Sequence, residues 1–393
     1  MKDNKPKRIG IDARFYGPVG KGLGRYTQEI VDNIIKIDNF NEYVIFFNKD
    51  NFEEFKLESE KVKKIMVNVR WYTLAEQVLM PYYIWKNNLD LMHFPHFNVP
   101  LFCPTKFIVT VHDLILTKYP TLRATTLSPL LYKIKNLMYK IVIWLAVKRA
   151  REVIAVSKYT KNDIVKHFKI KPEKIVVTYE GVANLAKNRD TLFTTKLDDE
   201  KTLLSYNINK PFLLYIGNAY PHKNLENLLD VFSKLHKYQP NLQLALVGKE
   251  EYFYKKIKNY SRDLELWQEN KKETPIIFPG YVPDAQLEVL YKNALAYIFP
   301  SFYEGFGLPA LEAMAKGCPV ISSNKSSMPE ILGEAAIYFN PENKEEMLEK
   351  IELVINDKDL QENLIEKGKN QVKKYSWWEC ASKTREVYEQ VLN

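Results

Sequence analysis

Two glutamates eight positions apart, Glu304 and Glu312, bracket the string Glu-Gly-Phe-Gly-Leu-Pro-Ala-Leu-Glu. Pro309 suits a first-turn position and Gly317 a helix stop, so the spacing predicts a short helix whose N-terminus faces the turn at Gly305, Phe306, Gly307 and Leu308. Free N–H groups at such a start hold anions, and carboxylates accept hydrogen bonds from vicinal hydroxyls. Together they fit a ligand that carries both sugar hydroxyls and phosphates. A glycosidase would set two carboxylates across a scissile bond. Here they accompany anion-binding turns, which favours a leaving nucleotide. Glu312 taken alone also fits a ligand-free explanation, because the helix dipole favours acids near a helix start.

Two further glycine turns invite an anion. Phe212 to Ile216 reads as a strand that runs through Gly217, Asn218 and Pro221-His-Lys223 into a helix, with Asn224 as its N-cap and Leu225, Leu228, Leu229, Phe232 and Leu235 as its buried stripe. A lysine at a helix N-terminus opposes the macrodipole unless an anion lies there, so Lys223 either grips a pyrophosphate or points into water. Earlier, Gly17 to Gly24 follows the first strand and precedes a helix with Tyr26, Ile30, Ile34 and Ile37 on one face. Gly22 and Gly24 allow close backbone approach to a ligand, but the spacing matches neither the dinucleotide fingerprint nor a P-loop, and a plain structural turn fits equally.

The elements that must position these turns alternate between short apolar runs and helix-period segments, the mark of βαβ units and parallel sheets. One series of strands spans Arg8–Arg14, Tyr43–Phe47, Leu91–Phe94, Phe107–Val111, Val153–Val156 and Ile175–Val177. A second spans Phe212–Ile216, Gln243–Val247, Ile276–Phe278, Ala296–Phe299 and Pro319–Ile321. The polar stretch between them sets the expected domains at 1–185 and 210–375, a linker at 186–209, and a last helix at 376–393 packing back across the domains.

With 393 residues, 46% hydrophobic and 27% charged, the chain supports two folded domains and is too apolar for disorder. Its polar start lacks a secretory signal, which predicts a cytoplasmic protein. Cys103, Cys318 and Cys380 form neither a disulfide framework nor a metal-ligand pattern. The net charge of +9 suits an anionic partner, either a nucleotide phosphate or an anionic membrane surface. Nucleic acid is not expected, since no finger, zipper or RNA-binding signature occurs.

Across nearly its whole length the chain resembles the retaining glycosyltransferases of the GT-B architecture, two Rossmann-like domains with parallel sheets facing across an interdomain cleft. The group includes bacterial mannosyl-, glucosyl- and rhamnosyltransferases. The string Glu304 to Glu312 has the form of the family's E-x7-E signature, followed by Ala-Met-Ala-x-Gly-x-Pro-Val and Ser326-Ser-Met-Pro-Glu330. Gly22-Leu-Gly24-Arg-Tyr, Val111-His112-Asp113-Leu, Ile154 to Thr160, Gly217 to Asn224 and Gly280-Tyr-Val-Pro-Asp284 add support.

The resemblance implies that Glu304 and the backbone from Gly305 to Leu308 hold the donor sugar and that Glu312 holds the ribose. Lys223 neutralises the diphosphate beside Gly217 and Asn218, while Val282, Asp284 and the residues up to Leu287 line the base. His112 lies near the anomeric carbon with Asp113 as its orienting partner, and Gly22 and Gly24 close over the phosphates. A histidine at a strand end is also a common structural feature. Many relatives carry an arginine in the Gly217 loop where this chain has Asn218 and His222. Its phosphate charge therefore rests on Lys223, or Arg25 contributes from across the cleft.

The activity that the resemblance implies is transfer of a hexosyl unit, mannose ahead of others, from a nucleotide diphosphate sugar to a hydroxyl of a glycan or lipid-linked acceptor. Retention, no metal and no cofactor are expected, with GDP-mannose favoured over UDP-sugars. A nucleotide-sugar epimerase or hydrolase, or a silent sugar-nucleotide-binding subunit, would use the same residues. The segment Leu127 to Arg151 is apolar and basic together and too interrupted to span a bilayer. It fits either a buried helix with charged edges or a peripheral contact with an anionic membrane.

Overall fold

Apolar runs and helix-period segments resolve into two parallel sheets in the computed structural model, which describes residues 5–57, 59–119, 129–182, 198–271 and 273–393. One unit takes the described residues within Met1–Lys118, Leu127–Gly181 and Ser376–Asn393, and the other those within Tyr119–Thr126 and Val182–Tyr375.

The first unit runs β1 (Arg8–Asp12), α1 (Lys21–Ile37), β2 (Glu42–Phe47), β3 (Val62–Met66), α2 (Leu74–Lys86), β4 (Leu91–Phe94), β5 (Phe107–Val111), α3 (Ile115–Lys118), α4 (Pro129–Arg149), β6 (Val153–Ala155), α5 (Lys158–Phe168) and β7 (Ile175–Val177). Its strands pair in the order β3-β2-β1-β4-β5-β6-β7, all parallel. The second unit runs α6 (Asp199–Ser205), β8 (Phe212–Ile216), α7 (Leu225–His236), β9 (Gln243–Val247), α8 (Tyr252–Asp263), β10 (Ile276–Gly280), α9 (Asp284–Asn293), β11 (Ala296–Phe299), α10 (Leu308–Ala315), β12 (Val320–Ser323), α11 (Met328–Leu332), β13 (Ala336–Phe339), α12 (Lys344–Asn356) and α13 (Lys358–Val372). Its parallel order is β10-β9-β8-β11-β12-β13. In each sheet the order reverses beside the first strand of the unit, at β1/β4 and at β8/β11. Such a reversal opens a crevice at the strands' carboxyl ends, where open α/β sheets bind ligands.

Two edge strands, β3 and β13, are missing from the strand series expected from the sequence. β3, Val-Lys-Lys-Ile-Met, is flanked by sheet on one side only; Lys63 is exposed, while half-buried Lys64 donates to the carbonyls of Phe52 and Phe55 at 3.2 Å. β13 is a four-residue strand on the opposite edge of the second sheet.

Two local expectations are corrected. Gly22 and Gly24 lie inside the first turn of α1 rather than in a loop before it. The expected linker, of which residues 186–197 lie outside the described part, gives way at 198–209 to structure. Asp198 caps α6 by accepting from the Glu200 and Lys201 N–H groups, and Leu203 and Ile208 are buried. The last helix, α14 (Trp377–Leu392), packs along α1 in the first unit. There Tyr388 Oη lies 2.7 Å from Nδ1 of the fully buried His93, and the ring of Trp377 meets that of Tyr26. All three cysteines are buried and free.

Candidate active site

In the second unit, the turns that leave β8 and β11 meet at the sheet's reversal point. Lys223 ends a single 3-10 turn, Pro221–Lys223, and its Nζ donates to Glu304 Oε1 at 2.6 Å. Their side chains keep 13% and 10% of their exposure, so the pair is nearly enclosed. Backbone ties hold the two turns in register, with Phe302 N–H donating to the His222 carbonyl at 2.8 Å. Asn224 is not the side-chain N-cap expected. It sits in the left-handed region at φ +61, and its amide donates to the carbonyls of Pro300 at 3.1 Å and Pro341 at 2.9 Å. The residue that starts α7 thus clamps the β11 turn instead of capping its own helix, and this fixes where Lys223 and Glu304 stand.

The glutamate turn is pinned from its other side. Glu304 N–H donates to Ser326 Oγ at 2.9 Å, and Ser327 Oγ donates to the Glu304 carbonyl at 3.0 Å. Phe306 packs edge-on against Tyr375, and Gly307 turns into α10 at φ +104, where a Cβ would stand 2.7 Å from Met328 Cε. Leu308 and Pro309 open α10. Half-buried Glu312, one turn on, accepts from Tyr291 Oη at 3.4 Å. Burial first, then the carboxylates of Glu304 and Glu312, raise the Tyr297 phenol well above its ordinary value, which places this buried ring beside both acids.

Gly217 and Asn218 follow β8, and their carbonyls accept from Tyr254 Oη at 2.8 Å and Tyr215 Oη at 2.7 Å. Burial, then the neighbouring Lys223, push His222 down to about 4. At neutral pH His222 is therefore uncharged and adds no positive charge beside Lys223. Val282 is buried just before α9, and Asp284 is exposed at its first residue. The same helix carries Tyr291 to Glu312.

In the first unit, His112 follows β5 and keeps 18% side-chain exposure. Its Nδ1 lies 3.1 Å from Glu180 Oε1, and its Nε2 lies 2.9 Å from the carbonyl oxygen of Pro95. A carbonyl can only accept, so Nε2 carries a proton, and the carboxylate at Nδ1 favours a second proton there. Desolvation opposes this charge, but the hydrogen bond and charge of Glu180, the Pro95 carbonyl and Asp113 together raise His112 above the ordinary histidine value. The ring of Tyr26, one turn after Gly22 on α1, stands edge-on to His112 at 4.5 Å.

Asp113 is not the orienting partner expected. Its Oδ1 accepts from Ile115 N–H at 2.9 Å at the start of α3, and Glu180 takes the orienting position. Sequence reasoning misses Glu180 although a signal is present, namely an acid followed by Gly181 just past the carboxyl end of β7, where α/β sheets place ligand groups. Among the described residues no three His, Cys, Asp or Glu side chains gather as a metal-ligand set.

Comparison with known proteins divides the chain as the fold does. A family model described as Glycosyltransferase Family 4 matches residues 20–183, and one described as Glycosyl transferases group 1 matches residues 198–371. The O-antigen chain mannosyltransferase B of Escherichia coli is 26% identical over 386 residues, which cover 93% of this chain and 95% of that one. Among solved structures, sucrose-phosphate synthase from Thermosynechococcus elongatus superposes with a TM-score of 0.74 at 19% identity, covering 98% of this chain and 99% of that one. HepE of Anabaena, in complex with UDP and glucose, gives a TM-score of 0.69 at 17% identity, with coverage of 98% and 99%. At such identities the solved structures show the shared architecture.

Proposed function

The chain belongs to the group 1 glycosyltransferases and has their GT-B fold, and on that premise we propose that it transfers a hexosyl unit, mannose first, from a nucleotide diphosphate sugar to an acceptor hydroxyl with retention. The observation that carries this reading is the Lys223–Glu304 pair at the reversal point of the second sheet. A cation and a hydroxyl-accepting carboxylate stand together there, as a sugar diphosphate requires. When the donor enters, the diphosphate takes over Lys223 and the sugar hydroxyls take over Glu304, so each charge exchanges one partner for another. Glu312 accepts from the ribose, Gly217 and Asn218 line the diphosphate, and Val282 and Asp284 flank the base.

In this reading the bond from the anomeric carbon to the diphosphate oxygen breaks as the acceptor oxygen attacks from the same face. The acceptor proton passes to the departing phosphate oxygen. Negative charge grows on the diphosphate, and Lys223 with the backbone N–H groups of the glycine turns is preorganised to meet it, which neither needs a divalent ion nor costs reorganisation. In this reading His112, whose two ring nitrogens are taken by Glu180 and the Pro95 carbonyl, serves the sugar as a ring biased toward positive charge rather than as a base or a hydrogen-bond donor. Support for mannose and for a glycan acceptor comes, by analogy, from the E. coli relative's name.

A transfer assay with GDP-mannose, UDP-glucose, UDP-GlcNAc and dTDP-rhamnose, run in chelator and read by NMR of the product anomer, tests the reading. An α-linked product from one donor, formed in chelator, is expected. A product whose anomer is inverted relative to its donor, or turnover abolished by chelator and restored by a divalent ion, would refute it in those respects.

A further inference from the structure

Among the described residues no helix is long and apolar enough to cross a membrane. The first unit nevertheless exposes large apolar side chains in two helical stripes. On α2, Leu74, Val78, Tyr82 and Trp85 recur at helical spacing and face outward, with Leu74 at 86% and Trp85 at 67% exposure. On α4, Ile134, Leu137, Ile141 and Trp144 do the same, with Leu137 at 59%. Residues 127–128 and the side chains of 129–132 lie outside the described part. The inward faces of both helices, Met80 and Ile84 on one and Ile143 and Val147 on the other, enter a single core cluster, so α2 and α4 cover the same face of the sheet. Between them the loop carrying exposed Leu101 and Phe102 is tied to α2, with Leu101 N–H donating to Gln77 Oε1 at 2.7 Å, and to α4 through Arg149, which donates to the Leu101 carbonyl. The stripes and the loop thus lie on one face of the unit.

Charge identifies what covers it. Residues 91–151 contain nine Lys and Arg against one acid, Asp113, so this stretch supplies nearly all of the chain's net +9. Lys133, Lys135, Lys140 and Lys148 are exposed along α4, and Lys86 ends α2. The sole acid of α2, Glu76, is fully buried on Arg14. An apolar face with exposed tryptophans and a predominantly basic rim matches an anionic bilayer surface, where aromatic rings sit at headgroup level and lysine stems reach the phosphates. A second copy on this face would oppose two like-charged rims across a two-fold axis, which disfavours it.

We infer that α2, the 101–102 loop and α4 together form a docking surface for an anionic phospholipid membrane. This stands apart from the donor reading, because vesicle partition is measured without any transfer assay. The full chain is to be sedimented with vesicles of phosphatidylcholine alone and with a quarter phosphatidylglycerol, at low and high salt. The same is done for Trp85→Ser/Trp144→Ser and for Lys133→Glu/Lys140→Glu. These side chains are exposed, and unchanged melting confirms that each variant is folded. The expected result is at least about tenfold stronger partition onto anionic vesicles, weakened by salt and by either double substitution, with a blue shift of tryptophan emission. Absence of vesicle binding by the folded wild type would overturn the inference. So would equal binding to neutral vesicles, or a dimer in sedimentation velocity that the same substitutions disperse.

Discussion

Lys223 Nζ and Glu304 Oε1 stand 2.6 Å apart, although 81 positions separate them in the chain. They come from the turns after β8 and β11, the adjacent strands from which the second sheet is built outward in both directions. In the proposed reading, the donor separates this pair and takes each group as its own partner.

Lys223→Met should lower stability, because it leaves the Glu304 carboxylate enclosed without its cation. Lys223→Met/Glu304→Gln should recover much of that loss. A double-mutant cycle by urea unfolding is expected to give a coupling of about 1–3 kcal/mol. A coupling near zero would mean that the pair contributes nothing to the ligand-free fold.

The two glycines of α1 should behave oppositely. A Cβ at Gly24 would stand 2.0 Å from the Gly17 carbonyl oxygen and 2.5 Å from that of Phe15, whereas one at Gly22 meets nothing within 4 Å. Gly24→Ala is expected to destabilise the unit. Gly22→Ala should hold or raise the melting temperature by removing about 0.5–1 kcal/mol of helix penalty, so a fall in its kcat/KM reports ligand approach to that backbone. Full activity in Gly22→Ala would remove Gly22 from the donor site.

Glu180 should control the charge of His112. The folded-state pKa of His112 is raised, so its contribution to stability is complete below the ordinary histidine value and is lost as pH rises through the higher folded value. In Glu180→Gln the carboxylate that sustains the charge is gone, and that loss should shift to lower pH. NMR titration of the His112 ring checks it: a lower pKa in Glu180→Gln is expected, and an unchanged one contradicts the bridge.

Asn224 should matter beyond its helix. Asn224→Gly keeps access to the left-handed φ but loses both carbonyl contacts, at about 1–3 kcal/mol for the groups left unmet. Asn224→Ala should cost about 1 kcal/mol more for the strained backbone. Both are expected to raise KM for the donor by loosening the Pro300 to Glu304 turn, and an unchanged KM would confine Asn224 to stability.

How far this site is legible in the sequence depends on how far apart its parts lie. Glu304 to Glu312 is one continuous string, and its turn, proline and helix stop can be read in place. Lys223 stands out because its charge opposes a helix dipole. Glu180 meets His112 only after β5 and β7 are set two strands apart in the sheet, and no local pattern encodes that distance. Asn224 looks like a cap because the residue type suits one, yet its left-handed backbone sends the amide toward Pro300 and Pro341. β3 is hidden by Lys63 and Lys64, which an edge strand tolerates. The α4 stripe is visible as an apolar, basic segment, whereas the α2 stripe separates from the core only once Met80 and Ile84 are seen to turn inward.

Calorimetric titration of GDP-mannose into the wild type and Lys223→Met, both shown to be folded, tests the donor site most directly. Binding by the wild type without added metal is expected, with a loss of about ten- to a hundredfold in affinity on removing the charged hydrogen bond to the diphosphate. Equal affinity in Lys223→Met, or no binding of any nucleotide sugar by the folded wild type, would contradict the donor site.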